Sequence, residues 1–112
     1  MTGSAEDAAL RVVLTTAPSA AVAEDLARAL VDERLAACAN IVPGVTSLFR
    51  WEGAVNRESE VLVLLKTTAA AVDRLSARLV ELHPYDVPEV LAFGAIDGHE
   101  PYADWVRDEV GA

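Results

Sequence analysis

One cysteine and two histidines are all that the 112-residue chain offers of the softer metal-binding side chains. Cys38 has no second thiol to pair with, so no intrachain disulfide is possible, and Cys38, His83 and His99 cannot make a four-ligand structural zinc site within one chain. A phosphate loop, a GxGxxG turn and a GxSxG elbow are all missing, which removes the simplest signals of nucleotide binding and of serine hydrolysis. Basic residues are scarce as well. Nine Lys and Arg stand against 18 Asp and Glu, and the resulting net charge of -9 excludes nucleic acid or an anionic membrane as the main partner and favours cations. The longest uncharged run, residues 35–49, is too short to cross a bilayer and is broken by Asn40, Pro43 and Gly44, so no transmembrane segment is expected. Residues 1–7 lack the basic and apolar regions of a secretory signal, and with a single cysteine the expected location is the reducing cytoplasm.

What is present in quantity is apolar side chain. Hydrophobic residues make up 53% of the chain, a large share for one domain whose surface should be on the order of 6,000 Å². The surplus points to a subunit interface. Residues 1–7 are small and polar and read as a disordered tail, leaving residues 8–112 as a single domain.

The apolar run Leu10, Val12, Val13, Leu14 predicts a first strand within residues 8–16. Pro18 and Ser19 then mark a helix start, with Ser19 as N-cap and Ala23, Leu26, Ala27 and Leu30 on one face up to about Arg34. Glu24 and Arg28 form an i,i+4 pair on its wet side. Residues 35–51, interrupted at Pro43-Gly44, and residues 60–67 read as a long bent hairpin turning at Glu52-Gly53. Residues 61–65 are apolar at every position, so that strand is expected to be covered on both faces. Val72, Leu75, Leu79 and Leu82 predict a second helix, residues 89–96 a fourth strand, and Pro101 the first residue of a last helix carrying Tyr102, Trp105 and Val106. Thr15-Thr16-Ala17 and Thr67-Thr68-Ala69 each join a strand to a helix, a faint internal repeat that suggests two βαβ halves. The fold class is therefore α+β: a ferredoxin-like βαββαβ sandwich with an extra C-terminal helix, both main helices on one sheet face and the other face free to pack on copies of the chain.

The densest chemistry lies in residues 83–89, His-Pro-Tyr-Asp-Val-Pro-Glu, where two prolines predict an extended run with Tyr85, Val87 and Glu89 on one side and Asp86 on the other. Two readings fit: a helix stop with a dipole-friendly histidine, or a ligand site of imidazole, phenol and carboxylates. Cys38 reads as a buried inert thiol or a reactive one, and Lys66 as an amine that reaches water, pairs with Glu60 or Glu89, or is desolvated for catalysis. Phe49, Trp51, Tyr102 and Trp105 read as interface or core aromatics, with ligand stacking as the other possibility.

Five stretches together give a resemblance: Glu33 to Ile41 (ERLAACANI), Ser47 to Gly53 (SLFRWEG), Lys66-Thr67-Thr68, Leu82 to Glu89 (LHPYDVPE), and Tyr102 with Trp105. In this order, over roughly residues 11–106, they resemble the CutA family of divalent-cation tolerance proteins. The resemblance implies a cytoplasmic homotrimer similar to the PII signalling proteins, assembled through its sheets and long second and third strands, associated with copper tolerance and binding Cu²⁺ or another divalent cation. The copper ligands of the family's enterobacterial members, a cysteine ending strand one and two adjacent histidines before the proline, fall here on Thr15-Thr16 and Leu82-His83, so His83 alone remains. A metal site is expected at His83 with Glu89 or Asp86, weak and not needed for folding. Cys38, Glu60, Lys66 and Tyr85 are expected to line a subunit cleft. No catalytic motif is recognised and no enzyme activity is assigned. The rivals are a PII-like module binding a small effector or protein, and an enzyme whose cleft uses Lys66, His83, Tyr85, Asp86 and Glu89 for acid-base work.

Overall fold

A computed structural model describes residues 5–95 and 97–111. Residues 1–4 of the expected tail, Ile96 at the end of the expected fourth strand, and Ala112 lie outside the described residues. In chain order the elements are β1 (Leu10–Ala17), α1 (Ala20–Asp32), β2 (Cys38–Trp51), β3 (Ala54–Thr68), a 3₁₀ turn (Ala69–Ala71) leading into α2 (Val72–Leu82), β4 (Leu91–Gly94) and α3 (Glu100–Glu109). The strands form one antiparallel sheet in the order β2-β3-β1-β4. This is the ferredoxin-like plan with an added C-terminal helix.

The period-2 alternation of β1 and β3 splits their side chains between two faces. Val13 and Ala17 of β1 and Val61, Val63 and Leu65 of β3 are buried against Ala23, Leu26 and Leu30 of α1 and Leu75 and Leu79 of α2. Thr67 shares that face and donates from Oγ1 to the Leu35 carbonyl at 2.7 Å, which ties the end of β3 to the start of β2. Leu62, Leu64 and Lys66 fall on the opposite, outer face. There the ladder pairs give the rows Asn40–Leu64–Leu14–Leu91 and Cys38–Lys66–Val12–Phe93. So the chain covers one side of residues 61–65, and Leu62 and Leu64 are left half-exposed. Helix α3 packs on β3 and β1 and covers the Lys66 end of the outer face, burying its own Ala103 and Val106.

Helix α1 starts as its sequence dictates, with Ser19 Oγ accepting from the Val22 amide at 3.2 Å. It stops in a Schellman arrangement, Leu35 N–H on the Leu30 carbonyl and Arg34 N–H on the Val31 carbonyl, with Arg34 at φ 60 where glycine is usual. The Glu24–Arg28 pair is formed at 3.6 Å.

Four expectations shift. Strand β3 begins at Ala54 and not at Glu60, because Glu52 (φ 51) and Gly53 (φ 79) make a two-residue turn with both centres left-handed, the geometry that matches strand twist and closes a hairpin at once. Residues 54–59 did not read as strand because both faces of that ribbon stand in solvent, so no apolar alternation marks them. Strand β4 is only Leu91–Gly94. Pro101 is the second residue of α3, after Glu100. The segment after α2 is extended at His83 (ψ 138) but bends at residues 84–87, so it presents no flat two-sided array.

At Pro43-Gly44 the β2–β3 register slips by one residue, from Val42↔Leu62 to Val45↔Glu60, a bulge that Gly44 accommodates at φ 79. Beyond it, residues 46–58 leave the helices behind as a two-stranded ribbon, and the long axis of the molecule reaches 49 Å against 25 and 24 Å across.

Candidate functional site

Two groups of polar side chains lie at opposite ends of the outer face, separated along β3 by the six residues from Glu60 to Lys66, about 20 Å of strand.

The first group is built on the end of α2. His83 is the C-cap, its own amide still bonded to the Leu79 carbonyl at 2.9 Å, and it is 7% exposed. Its Nδ1 accepts the Tyr85 amide at 3.1 Å. Because that amide can only donate, the ring proton sits on Nε2 and is donated to the Thr16 carbonyl at 2.7 Å. Pro84 and the bends after it make this possible by folding Tyr85 back over the imidazole, ring centres 4.7 Å apart. Tyr85 in turn donates from its hydroxyl to Glu60 Oε2 at 2.8 Å. Burial, reinforced by that hydrogen bond and by the nearby Glu60 and Glu58 charges, pushes the Tyr85 phenol up to about 12. Asp86 and Glu89 are exposed on the same segment. Among the described residues, no three His, Cys, Asp or Glu side chains converge on a point that could hold a metal ion, so His83, Asp86 and Glu89 are not preassembled as a three-ligand set.

The second group crosses from β2 and β3 to α3. Lys66 and Cys38 face each other across the ladder, and Lys66 Nζ donates to Cys38 Sγ at 3.7 Å and to Asn40 Oδ1. Cys38 Sγ also lies 3.3 Å from the Tyr102 hydroxyl. That contact, with burial second, raises the Tyr102 phenol to about 12. Tyr102 stacks at a tilt on Trp105, ring centres 5.7 Å apart.

The expected cleft of Cys38, Glu60, Lys66 and Tyr85 is therefore two separate pairs within one subunit, Cys38 with Lys66 and Glu60 with Tyr85. Lys66 does not pair with Glu60 or Glu89; its partners are the Asn40 amide oxygen and the thiol. Cys38 is a half-buried thiol between a phenol and an amine, not a sealed core residue. The acid-base constellation of Lys66 with His83, Tyr85, Asp86 and Glu89 is not formed within one subunit, since Lys66 lies in the other group. Phe49, Trp51, Tyr102 and Trp105 are all exposed, Trp51 at 60% beside the ribbon turn. Sequence reasoning missed Asn40 and the Thr16 carbonyl. Asn40 could have been found from strand parity, two residues from Cys38 on the same face; a backbone carbonyl leaves no mark in sequence.

An antiparallel ferredoxin-like sheet with both long helices on one face, an elongated β2–β3 ribbon and a histidine locked at the end of α2 defines a class of small α+β sandwich, and comparison with known proteins places the chain within it. A family profile described as "CutA1 divalent ion tolerance protein" matches residues 11–109. The divalent-cation tolerance protein CutA of Thermus thermophilus is 52% identical over 100 residues, 89% of this chain and 97% of that protein. The crystal structure of CutA1 from Oryza sativa superposes with a TM-score of 0.90 at 37% identity, over 92% of this chain and 94% of that one. Human Protein CutA is 44% identical over 92 residues, 82% of this chain but only 51% of the human protein, so the chain spans about half of that relative's length. The chain belongs to the CutA1 divalent ion tolerance family.

Proposed function

We propose that the protein is a cytoplasmic homotrimer that binds divalent cations, holding Cu²⁺ weakly and ahead of Zn²⁺ at His83 with oxygen ligands from Asp86 or Glu89. The observation that carries the site is the His83 hydrogen-bond pair. Metal-binding histidines generally donate their other ring N–H to a carbonyl or carboxylate, which fixes the tautomer and aims the free lone pair. His83 already makes that bond to the Thr16 carbonyl, and its Nδ1 lone pair faces the segment that carries Asp86 and Glu89. A cation must displace the Tyr85 amide from Nδ1, forgoing a hydrogen bond worth about 1 kcal/mol. With one imidazole and no thiolate, the site is weak, and the usual order of divalent affinities ranks Cu²⁺ above Zn²⁺. The net charge of -9 raises the local concentration of cations, and the name divalent-cation tolerance protein carried by the Thermus relative supports the same reading.

Assembly is supported by the outer face. Val42, Leu91 and Phe93 are exposed there, Leu62 and Leu64 are half-exposed, and the ribbon extends the same face with Phe49 and Trp51. That much contiguous apolar surface marks an interface. A single cysteine, which can make no intrachain disulfide, fits a reducing compartment. We assign no catalysed reaction.

Titration calorimetry with CuCl₂ and ZnCl₂ on the wild type, His83→Ala and Cys38→Ser tests the site. The expected result is Cu²⁺ bound more tightly than Zn²⁺, binding reduced at least tenfold by His83→Ala, and near-wild-type binding by Cys38→Ser. Loss of binding in Cys38→Ser with retention in His83→Ala assigns the metal to the thiol and overturns the proposal.

A further inference from the structure

Lys66 is the only lysine in the chain; the other eight basic residues are arginines. It stands on the outer face of a chain with twice as many acids as bases, yet among the described residues no carboxylate oxygen lies within ion-pair distance of it, whereas Arg28, Arg34, Arg78 and Arg107 all have acidic partners. Its contacts among the described residues are the Asn40 amide oxygen and the Cys38 sulfur, neither of them a carboxylate. An ammonium has three donors in one head, so one N–H is left over. Around it the donors accumulate. Asn40 spends its oxygen on Lys66, and among the described residues its NH₂ has no hydrogen-bond partner, while the Tyr102 hydroxyl is held at the Cys38 sulfur. Tyr102 and Trp105 then form an exposed, tilted aromatic pair on α3 directly beside this head group. Cation, amide, hydroxyl and aromatic surface come from three different elements and converge on one place at the rim of the outer face, where α3 ends its cover.

We propose that this junction of β2, β3 and α3 is a binding site for a small organic carboxylate with an apolar or aromatic body, the carboxylate on Lys66 and Asn40 and the body against Tyr102 and Trp105. An ammonium without a carboxylate partner favours an anion at close range. The aromatic pair adds the contact area that a bare inorganic ion cannot use. The site is separate from the proposed cation site at His83 and does not depend on it.

A single lysine makes the test selective, because trinitrobenzenesulfonate can react with only two amines in the protein, Lys66 and the N-terminus, and peptide mapping separates them. The labelling is run on the assembled protein with sodium phenylacetate, sodium acetate or sodium phosphate present. Phenylacetate is expected to slow modification of Lys66 at least fivefold while leaving the N-terminal amine unchanged, with acetate and phosphate weaker. In a Trp51→Phe background Trp105 is the only tryptophan, and its emission should respond saturably to phenylacetate. Lys66→Met should remove that response while keeping assembly and melting temperature. Equal labelling of both amines under all three anions overturns the site. Protection by phosphate as strong as by phenylacetate overturns the carboxylate-with-apolar-body assignment, and a Trp105 response that persists in Lys66→Met overturns the role of the ammonium.

Discussion

Both tyrosines of the chain are bound through their hydroxyls and both are shifted the same way. Tyr85 is raised to about 12 first by burial and then by its hydrogen bond to Glu60, and Tyr102 to about 12 first by its contact with Cys38. An unfolded tyrosine loses its proton near 10. Above that value the unfolded chain releases protons that the folded chain keeps, so the stabilisation from these two phenols is complete below about 10 and is lost as the pH rises through about 12. A phenolate absorbance titration should accordingly show no tyrosine ionising with the ordinary midpoint. Glu60→Gln should bring Tyr85 part of the way back and leave Tyr102 where it is. A wild-type midpoint near 10 for either residue removes this account. His83 was legible as the centre of its segment because two prolines and a helix end isolate it, but its partners were not: the Thr16 carbonyl is 67 positions away in sequence, and Tyr85 reaches Nδ1 through bends that proline spacing alone read as extended. Of the three readings open for Lys66, pairing with Glu60 or Glu89 is not formed within the chain for a related reason, since charge complementarity suggests a partner while strand parity, which puts Asn40 beside it, decides one.

At the scale of the element, the α1–β2 corner concentrates unusual geometry. Arg34 takes the left-handed position of a Schellman turn, which costs a non-glycine residue about 1 kcal/mol or more. It also holds the end of α3, donating to the Asp108 carbonyl at 3.0 Å and to Glu109 at 3.3 Å, while its own carbonyl accepts the Gly111 amide at 2.9 Å. Strain and clasp oppose one another. Arg34→Ala keeps the strain and loses the side-chain bonds, so it should lower the melting temperature clearly, by the equivalent of about 1 to 2 kcal/mol. Arg34→Gly removes the strain along with the bonds and should come close to wild type. If thermal melts show Gly to be the worse of the two, the left-handed cost is not the controlling term. The helices and the strand order were readable from sequence, because the apolar period switches cleanly between 2 and 3.6 and Ser19 caps as its type predicts. The ends of β3 and β4 were not. Residues 54–59 have no buried face to write an apolar pattern into the side chains.

At the scale of the whole molecule, the ribbon of residues 46–58 is the feature that a lone subunit leaves without support. Leu48, Trp51 and Val55 are 68, 60 and 65% exposed, and an isolated two-stranded hairpin is at best marginal in water. Trp51→Ala should therefore weaken the proposed trimer by about 2 to 4 kcal/mol while leaving the fold of each subunit intact, visible in sedimentation as dissociation at low micromolar concentration with an unchanged circular dichroism spectrum. A mutant trimer as resistant to dilution as the wild type would show that the ribbon does not carry the contact. The one-residue bulge at Val42 and Val45 marks where the sandwich stops and this ribbon begins, and it should separate two populations of backbone amide with different lifetimes. Amides on the sandwich side, between β1 and β3, should open only when the whole chain unfolds. In the proposed trimer those of residues 46–58 should open whenever a neighbour lets go, so deuterium uptake along this one stretch should keep time with subunit exchange and read the lifetime of the assembly from within a single chain.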